Sequence, residues 1–241
     1  MTTLIIIQAR MGSSRLPGKV LMPLGDSTVM DYVVSRCRQV QATLDVVVAT
    51  SRLPQDDPIE HWCAEQGVSC YRGSEDDVLS RYVEAAKPYK PDYVMRVTGD
   101  CPFVDYHLAD KFLSAMANQP SDAIVWSGDI PRGLVVELVS YDALLRMDAE
   151  GQEPRHREHV TYYAKEFPEG YPTTEVPVPK ALQYPELRIT LDTEEDYALC
   201  QAVAEAFSGD KLVPSQAVVD YLNRHPEVAK LNSHIEQKPV V

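Results

Sequence analysis

With 241 residues, 44% of them hydrophobic and 24% charged, the chain has an ordinary globular composition and room for one large α/β domain or two small ones. Its formal net charge of -13 argues against nucleic acid or an anionic membrane as a partner, because phosphate-rich surfaces repel such a protein. The first apolar run is too short for a signal core or a membrane span and Arg10 follows it, so a cytoplasmic protein is expected.

That run, residues 4–7, predicts a first buried strand. Residues 8–20 (QARMGSSRLPGKV) come next, and the first carboxylate of the chain is Asp26. Arg10, Arg15 and Lys19 therefore stand among Gly12, Ser13, Ser14 and Gly18 with no acid in the stretch. Small residues let the backbone approach a ligand and form an anion nest, and Arg and Lys add charge-assisted bonds to phosphate oxygens. The stretch reads as a polyphosphate-binding loop. It is not a P-loop: the glycine spacing is one residue too long, and Val20 after Lys19 has no hydroxyl for a magnesium ion. The alternative is a basic surface loop without a ligand.

Further strands are predicted at 44–50, 68–71, 92–97 and 123–126. Between them, Asp57 and Pro58 start a helix that Gly67 stops. Val78, Leu79, Tyr82, Val83 and Ala86 share one helical face, and 107–118 reads as another helix. This alternation predicts a mostly parallel sheet covered on both faces. After residue 126 the rhythm breaks. A strand over 135–140, a helix over 141–149 and an amphipathic helix over 154–167 are expected. Residues 173–179 carry alternate prolines that suit an edge strand or an arm. A strand over 187–191, helices over 194–207 and 214–224, and a loose polar end from Ser233 complete the chain. A single domain over 1–241 with an inserted arm at about 127–186 is the expected organisation. The five cysteines show no C-x-x-C spacing and read as reduced packing residues, although Cys101 beside Asp100 raises the question of a reactive thiol.

Asp100 and Asp192 each follow a predicted strand. Ligands of open α/β sheets bind beyond the carboxyl ends of the strands, so both side chains could converge on the opening loop. Magnesium takes one or two carboxylates plus substrate phosphates, and this pair with a triphosphate meets that description. In the segment RGSEDD (72–77), Arg72 could serve a base pocket, while Asp76 or Asp77 serves either that pocket or the N-cap of the next helix. His156 and His159 lie three apart, beside Arg155 and Arg157, which favours an anion or interface role over zinc.

Taken in order, IIQARMGSSRLPGKVL, YRGSEDDVLSRY, VMRVTGDCP, PRGL-x-VE, REHVTYY and LRITLDTEEDY resemble the cytidylyltransferases of the spore-coat polysaccharide (SpsF-like) group, relatives of the enzymes that make CMP-activated sugar acids. The resemblance runs from residue 4 to about residue 200. It implies a Rossmann-like nucleotide-diphospho-sugar transferase fold, CTP as donor, Mg2+ as cofactor, a small acidic acceptor such as a sugar acid, and a homodimer whose inserted arm reaches the partner. It implies that Arg10, Arg15 and Lys19 meet the triphosphate, with Ala9, Met11, Gly12 and Ser13 along the nucleotide and Arg72 at its pocket. Asp100 and Asp192 match the metal aspartates, with Asp100 also catalytic. Glu137, His159 and Arg188 fall on the acceptor side. Val135 stands where the group usually shows Asp, which keeps the activity and puts the usual acceptor in doubt. Rival readings are a glycosyltransferase using a nucleotide-sugar donor and a non-catalytic nucleotide-binding subunit.

Overall fold

In the computed structural model, which describes residues 1–236, a central sheet of seven strands carries helices on both faces. The opening strand β1 (Thr3–Gln8) is followed by a short antiparallel pair, β2 (Pro23–Leu24) and β3 (Ser27–Thr28), and by α1 (Val29–Cys37). Then come β4 (Thr43–Ser51), α2 (Asp57–Glu65), β5 (Ser69–Gly73), α3 (Val78–Ala86), β6 (Tyr93–Thr98), α4 (Tyr106–Asn118) and β7 (Ala123–Ser127). The later part adds β8 (Glu137–Ser140), α5 (Tyr141–Glu150), α6 (Pro154–Glu158), α7 (Tyr162–Glu166), β9 (Thr173–Pro177), α8 (Glu194–Ala206), α9 (Ser215–Arg224) and α10 (Pro226–Ala229).

The strand order is β5-β4-β1-β6-β8-β7-β9. The first four strands are parallel, and β8 runs antiparallel to both neighbours. Strand β1 is apolar at every central position because it is covered twice. Leu4 and Ile6 pack with α3 and α5, and Ile5 and Ile7 with α1, α2 and α4. All four are fully buried, each contributing about 1.5–3 kcal/mol relative to exposure. A second core lies beside the sheet, where Leu16, Phe103, Ile189 and Leu191 pack with α8 and α9. Arg36 ties α1 to that side: fully buried, it donates to the carbonyls of Val104, Lys211 and Val213 and to Ser215 Oγ.

Four expectations change. Helix α1 was not foreseen; Thr28 caps it by accepting from the Asp31 N–H at 3.2 Å. The expected helix over 154–167 is two short ones, because Thr161 bonds Glu137 and Arg157 is drawn to Asp77 and Asp148, which pulls the chain off a single axis. The strand expected from residue 135 begins at Glu137. Among the described residues, 187–191 make only one bridge, Arg188 with Arg132, because their neighbours are loop backbones and not a strand. By contrast, β9, which ends at Pro177 just before Pro179, lies at the edge of the sheet, as prolines there require. Both β8 and β9 fall within 127–186 and join the central sheet. The loose end expected from Ser233 lies outside the described residues from 237 onward. No helix of the described residues is long and apolar enough to cross a membrane.

Candidate active site

The loop after β1 is held by its own backbone and by one buried carboxylate. Gly18 N–H and Ser13 N–H both donate to the Met11 carbonyl at 2.9 Å. Met11 N–H donates to Asp56 Oδ1 at 2.7 Å, and the fully buried Asp56 also accepts from the Ser51 hydroxyl. Gly18 has φ +72°, a left-handed turn that disfavours any side chain. That turn starts the short 3-10 segment Lys19–Leu21. Leu16 anchors the loop in the second core, and Lys19 is left only 8% exposed.

Lys19 Nζ lies 2.7 Å from Asp100 Oδ2 and 2.7 Å from Asp192 Oδ1. The two aspartates meet because their chains are stitched together: Leu191 N–H donates to the Asp100 carbonyl at 2.8 Å. Arg15 reaches Asp192 Oδ2 at 3.1 Å and Arg188 reaches it at 2.8 Å. Burial opposes ionisation of Asp192, but Lys19, then Arg15 and Arg188, hold its pKa below the usual carboxylate value. Burial likewise opposes the Lys19 charge, and the two aspartates overcome it and raise the pKa.

Behind this group stands Asp196, fully buried, which accepts from Arg188 Nε at 2.8 Å and from the Asp192 N–H at 2.9 Å. Asp196 is the third residue of a capping box with Thr193 at the start of α8. It was not among the expected site residues, nor was Asp56. The spacing Thr193-x-x-Asp196 was the available signal for the first; nothing local marks the second.

A separate polar chain runs from Gln8 on β1. Arg96 Nε donates to Gln8 Oε1 at 3.1 Å and Arg96 Nη1 to Glu137 Oε2 at 2.8 Å. Thr161 and Lys165 complete the environment of Glu137 at 2.7 and 2.6 Å. Burial opposes the Glu137 charge, but Arg96 and Lys165 keep its pKa well below the carboxylate range. His159 lies within the field of this same group, and burial first, with Arg96 and Lys165, lowers its pKa. Of the three residues expected on the acceptor side, Glu137 acts electrostatically on His159, whereas Arg188 joins the Asp192 group.

The remaining expectations are placed as follows. Arg10 is exposed and reaches Glu75 at 4.0 Å; Ala9 is buried, Gly12 is exposed, and Met11 and Ser13 are half-buried. Arg72 stands apart from the Lys19 group. It donates to the Ser51 and Leu53 carbonyls, each at 2.9 Å, and pairs with Asp57 and Glu60, so it braces the segment that holds Asp56. Asp77 caps α3 through the Ser80 N–H at 2.9 Å and binds Arg157. His156 is buried, its Nδ1 accepting from Glu153 N–H and its Nε2 at 2.7 Å from Glu166, so neither nitrogen is left for a metal. No group of three or more His, Cys, Asp or Glu among the described residues could hold a metal ion by itself. Burial pushes the Cys101 thiol up to about 12, a packing residue and not a nucleophile. Val135 is half-buried against the main core.

A loop of cations at the end of β1, facing two carboxylates beyond the strands, is the arrangement of a nucleotide-handling enzyme. The family model described as "Cytidylyltransferase" matches residues 4–231. The chain belongs to the cytidylyltransferase family. It is 38% identical over 231 residues to the spore coat polysaccharide biosynthesis protein SpsF of Bacillus subtilis, covering 94% of this chain and 96% of that one. It is 30% identical over 176 residues to the 3-deoxy-manno-octulosonate cytidylyltransferase of Anaeromyxobacter dehalogenans, covering 66% and 72% of the two chains. The solved structure of a cytidylyltransferase from Leptospira borgpetersenii superposes with a TM-score of 0.89 at 30% identity, over 99% of this chain and 100% of that one. This cytidylyltransferase is therefore an enzyme, a nucleotidyltransferase on a Rossmann-like fold.

Proposed function

We propose that this cytidylyltransferase moves CMP from CTP to a small sugar acid, with Mg2+ as cofactor, and releases pyrophosphate. The observation that carries the reading is Lys19 Nζ at 2.7 Å from both Asp100 and Asp192 beside a loop of cations. Two carboxylate oxygens facing a common cation suit a hard divalent ion whose other ligands are phosphate oxygens. Asp100 and Asp192 would hold that ion, which supplies Lewis acidity and a template for the α-phosphate. The acceptor oxygen forms a bond to the α-phosphorus as the bond to the bridging oxygen breaks, and the electron pair leaves with pyrophosphate. Arg10, Arg15 and Lys19 neutralise the charge that grows on that leaving group; such transfers need positioning and electrostatics rather than a covalent nucleophile. Asp196 orients Arg188, which in turn steadies Asp192.

The acceptor lies toward Arg96, Glu137 and His159, next to Lys165, where two cations meet one carboxylate and the excess positive charge suits a carboxylate-bearing sugar. The names of the relatives, one in spore-coat polysaccharide synthesis and one acting on 3-deoxy-manno-octulosonate, support a sugar acid. Val135 packs against the main core and offers no hydrogen-bond acceptor, which fits either a different acceptor or a repacking of this segment. The same reading takes the protein as a homodimer with 127–186 as its arm, where Leu145 and Phe167 are exposed apolar residues.

The test is a pyrophosphate-release screen of each nucleoside triphosphate against a panel of acidic acceptors, with and without magnesium. Release confined to CTP, a sugar acid and added metal is expected. No pyrophosphate from CTP, with nucleoside diphosphate released from nucleotide-sugar donors instead, would make the protein a glycosyltransferase and end the proposal.

A further inference from the structure

Two arginines of this chain are deeply buried in different ways. Arg36 spends its guanidinium on the carbonyls of Val104, Lys211 and Val213 and on Ser215 Oγ. Arg81, on α3, is 3% exposed, yet neither its Nε nor its Nη1 meets any hydrogen-bond partner. A buried cation with two nitrogens left unpaired is disfavoured, and burial first, then Arg10, lowers its proton affinity against the pull of Tyr82, Asp56 and Glu75. A structural arginine in this fold looks like Arg36.

The placement of Arg81 is nonetheless specific. A Cβ on Gly73, at the end of β5, would lie 2.6 Å from Arg81 Cγ, so the side chain crosses the carboxyl end of that strand where only glycine leaves room. The charged groups acting on its head come from the segments that follow β1, β4 and β5: Arg10, Asp56 and Glu75. In the sheet, β6, which leads to Asp100, lies on one side of β1, and β4 and β5 lie on the other. A nucleotide with its phosphates toward Lys19 and Asp100 and its base on the other side of β1 would reach the ends of β4 and β5.

We propose that Arg81 is a specificity residue for the nucleobase, its guanidinium donating to the adjacent O2 and N3 acceptors of cytosine. The inference rests on the CTP reading above and deepens it. Cytosine presents two neighbouring acceptors on that edge; uracil presents an N3–H donor in place of one. A fork of donors fits the first and is left unpaired by the second, which is where discrimination between similar ligands becomes large.

The experiment measures binding of CTP, UTP and inorganic pyrophosphate by calorimetry, with thermal melts, for the wild type, Arg81→Met and Arg81→Lys. The wild type prefers CTP to UTP by roughly 100-fold or more. Arg81→Met loses that preference, binds pyrophosphate as before, and melts no lower than the wild type, because it removes a buried charge with two nitrogens left unpaired. Arg81→Lys keeps the charge without the fork and also loses the preference. A CTP preference that survives in either variant overturns the inference, as does a parallel loss of CTP and pyrophosphate binding with a lowered melting temperature. A wild type that binds CTP and UTP alike overturns the CTP reading itself.

Discussion

Asp100 and Asp192 hold the same ammonium, yet the structure makes them unequal, and the pair Asp100→Asn and Asp192→Asn tests the inequality. Among the described residues Asp100 has Lys19 as its one ion-pair partner, at 2.7 Å, with its side chain 23% exposed. In Asp100→Asn, Lys19 keeps Asp192, so the loss of folding stability is about 1 kcal/mol or less. Asp192 carries Lys19, Arg15 and Arg188 at 2.7, 3.1 and 2.8 Å with its side chain 15% exposed. Removing its charge costs Arg15 its carboxylate, while Lys19 keeps Asp100 and Arg188 keeps Asp196, and the lost charge-assisted bonds cost about 1.5–3 kcal/mol. At roughly 2–4 °C per kcal/mol for a chain of this size, Asp192→Asn melts about 3–12 °C lower. Both variants lose pyrophosphate release by about three orders of magnitude or more, equivalent to roughly 4 kcal/mol of transition-state stabilisation. The assays are scanning calorimetry and coupled pyrophosphate detection with CTP and magnesium. Near-normal release from Asp100→Asn would refute its place beside the ion, and equal melting temperatures for the two variants would refute the inequality.

The pH dependence of stability should carry the same signature. Asp192 has an unperturbed value of 3.8 and Glu137 one of 4.5, and both are lowered in the fold. Their stabilisation is complete above those values and is lost as pH falls through the lower folded values, so melts between pH 6 and pH 2 steepen in the wild type and flatten in Asp192→Asn. Arg36→Met strands four acceptors, three of them in fully buried bonds, and urea unfolding should show a loss of about 3–5 kcal/mol with the KM for CTP unchanged. Asp56→Ala frees the Met11 N–H, and steady-state kinetics should show the KM for CTP raised about tenfold by the loss of one charge-assisted bond, more than kcat falls.

Much of the architecture was legible in local pattern. The run at Leu4 to Ile7 has no polar position, which only a strand covered on both faces tolerates, and the prolines at Pro177 and Pro179 point to a sheet edge. The cationic loop was legible because fixed glycine, serine and basic residues appear before any carboxylate. Less legible were elements whose partners are distant. The stretch 187–191 alternates like a strand but lies against the loops at Arg132 and Asp100, and the break near His159 depends on Glu137 and Asp77, far away in the chain.

The order of residues alone determined a doubly covered, mostly parallel sheet, a cationic loop after its first strand and two aspartates beyond strand-like runs, because each follows from periodicity, glycine or charge within a short window. Tertiary structure alone decided that Lys19 lies between those aspartates, that Asp56 and Asp196 hold the loop and the arginine, and that Arg188 sides with Asp192 rather than Glu137. Those relations are set by which backbones pair across the fold, and a hydrogen bond such as Leu191 N–H to the Asp100 carbonyl leaves no trace in the spacing of the residues it joins.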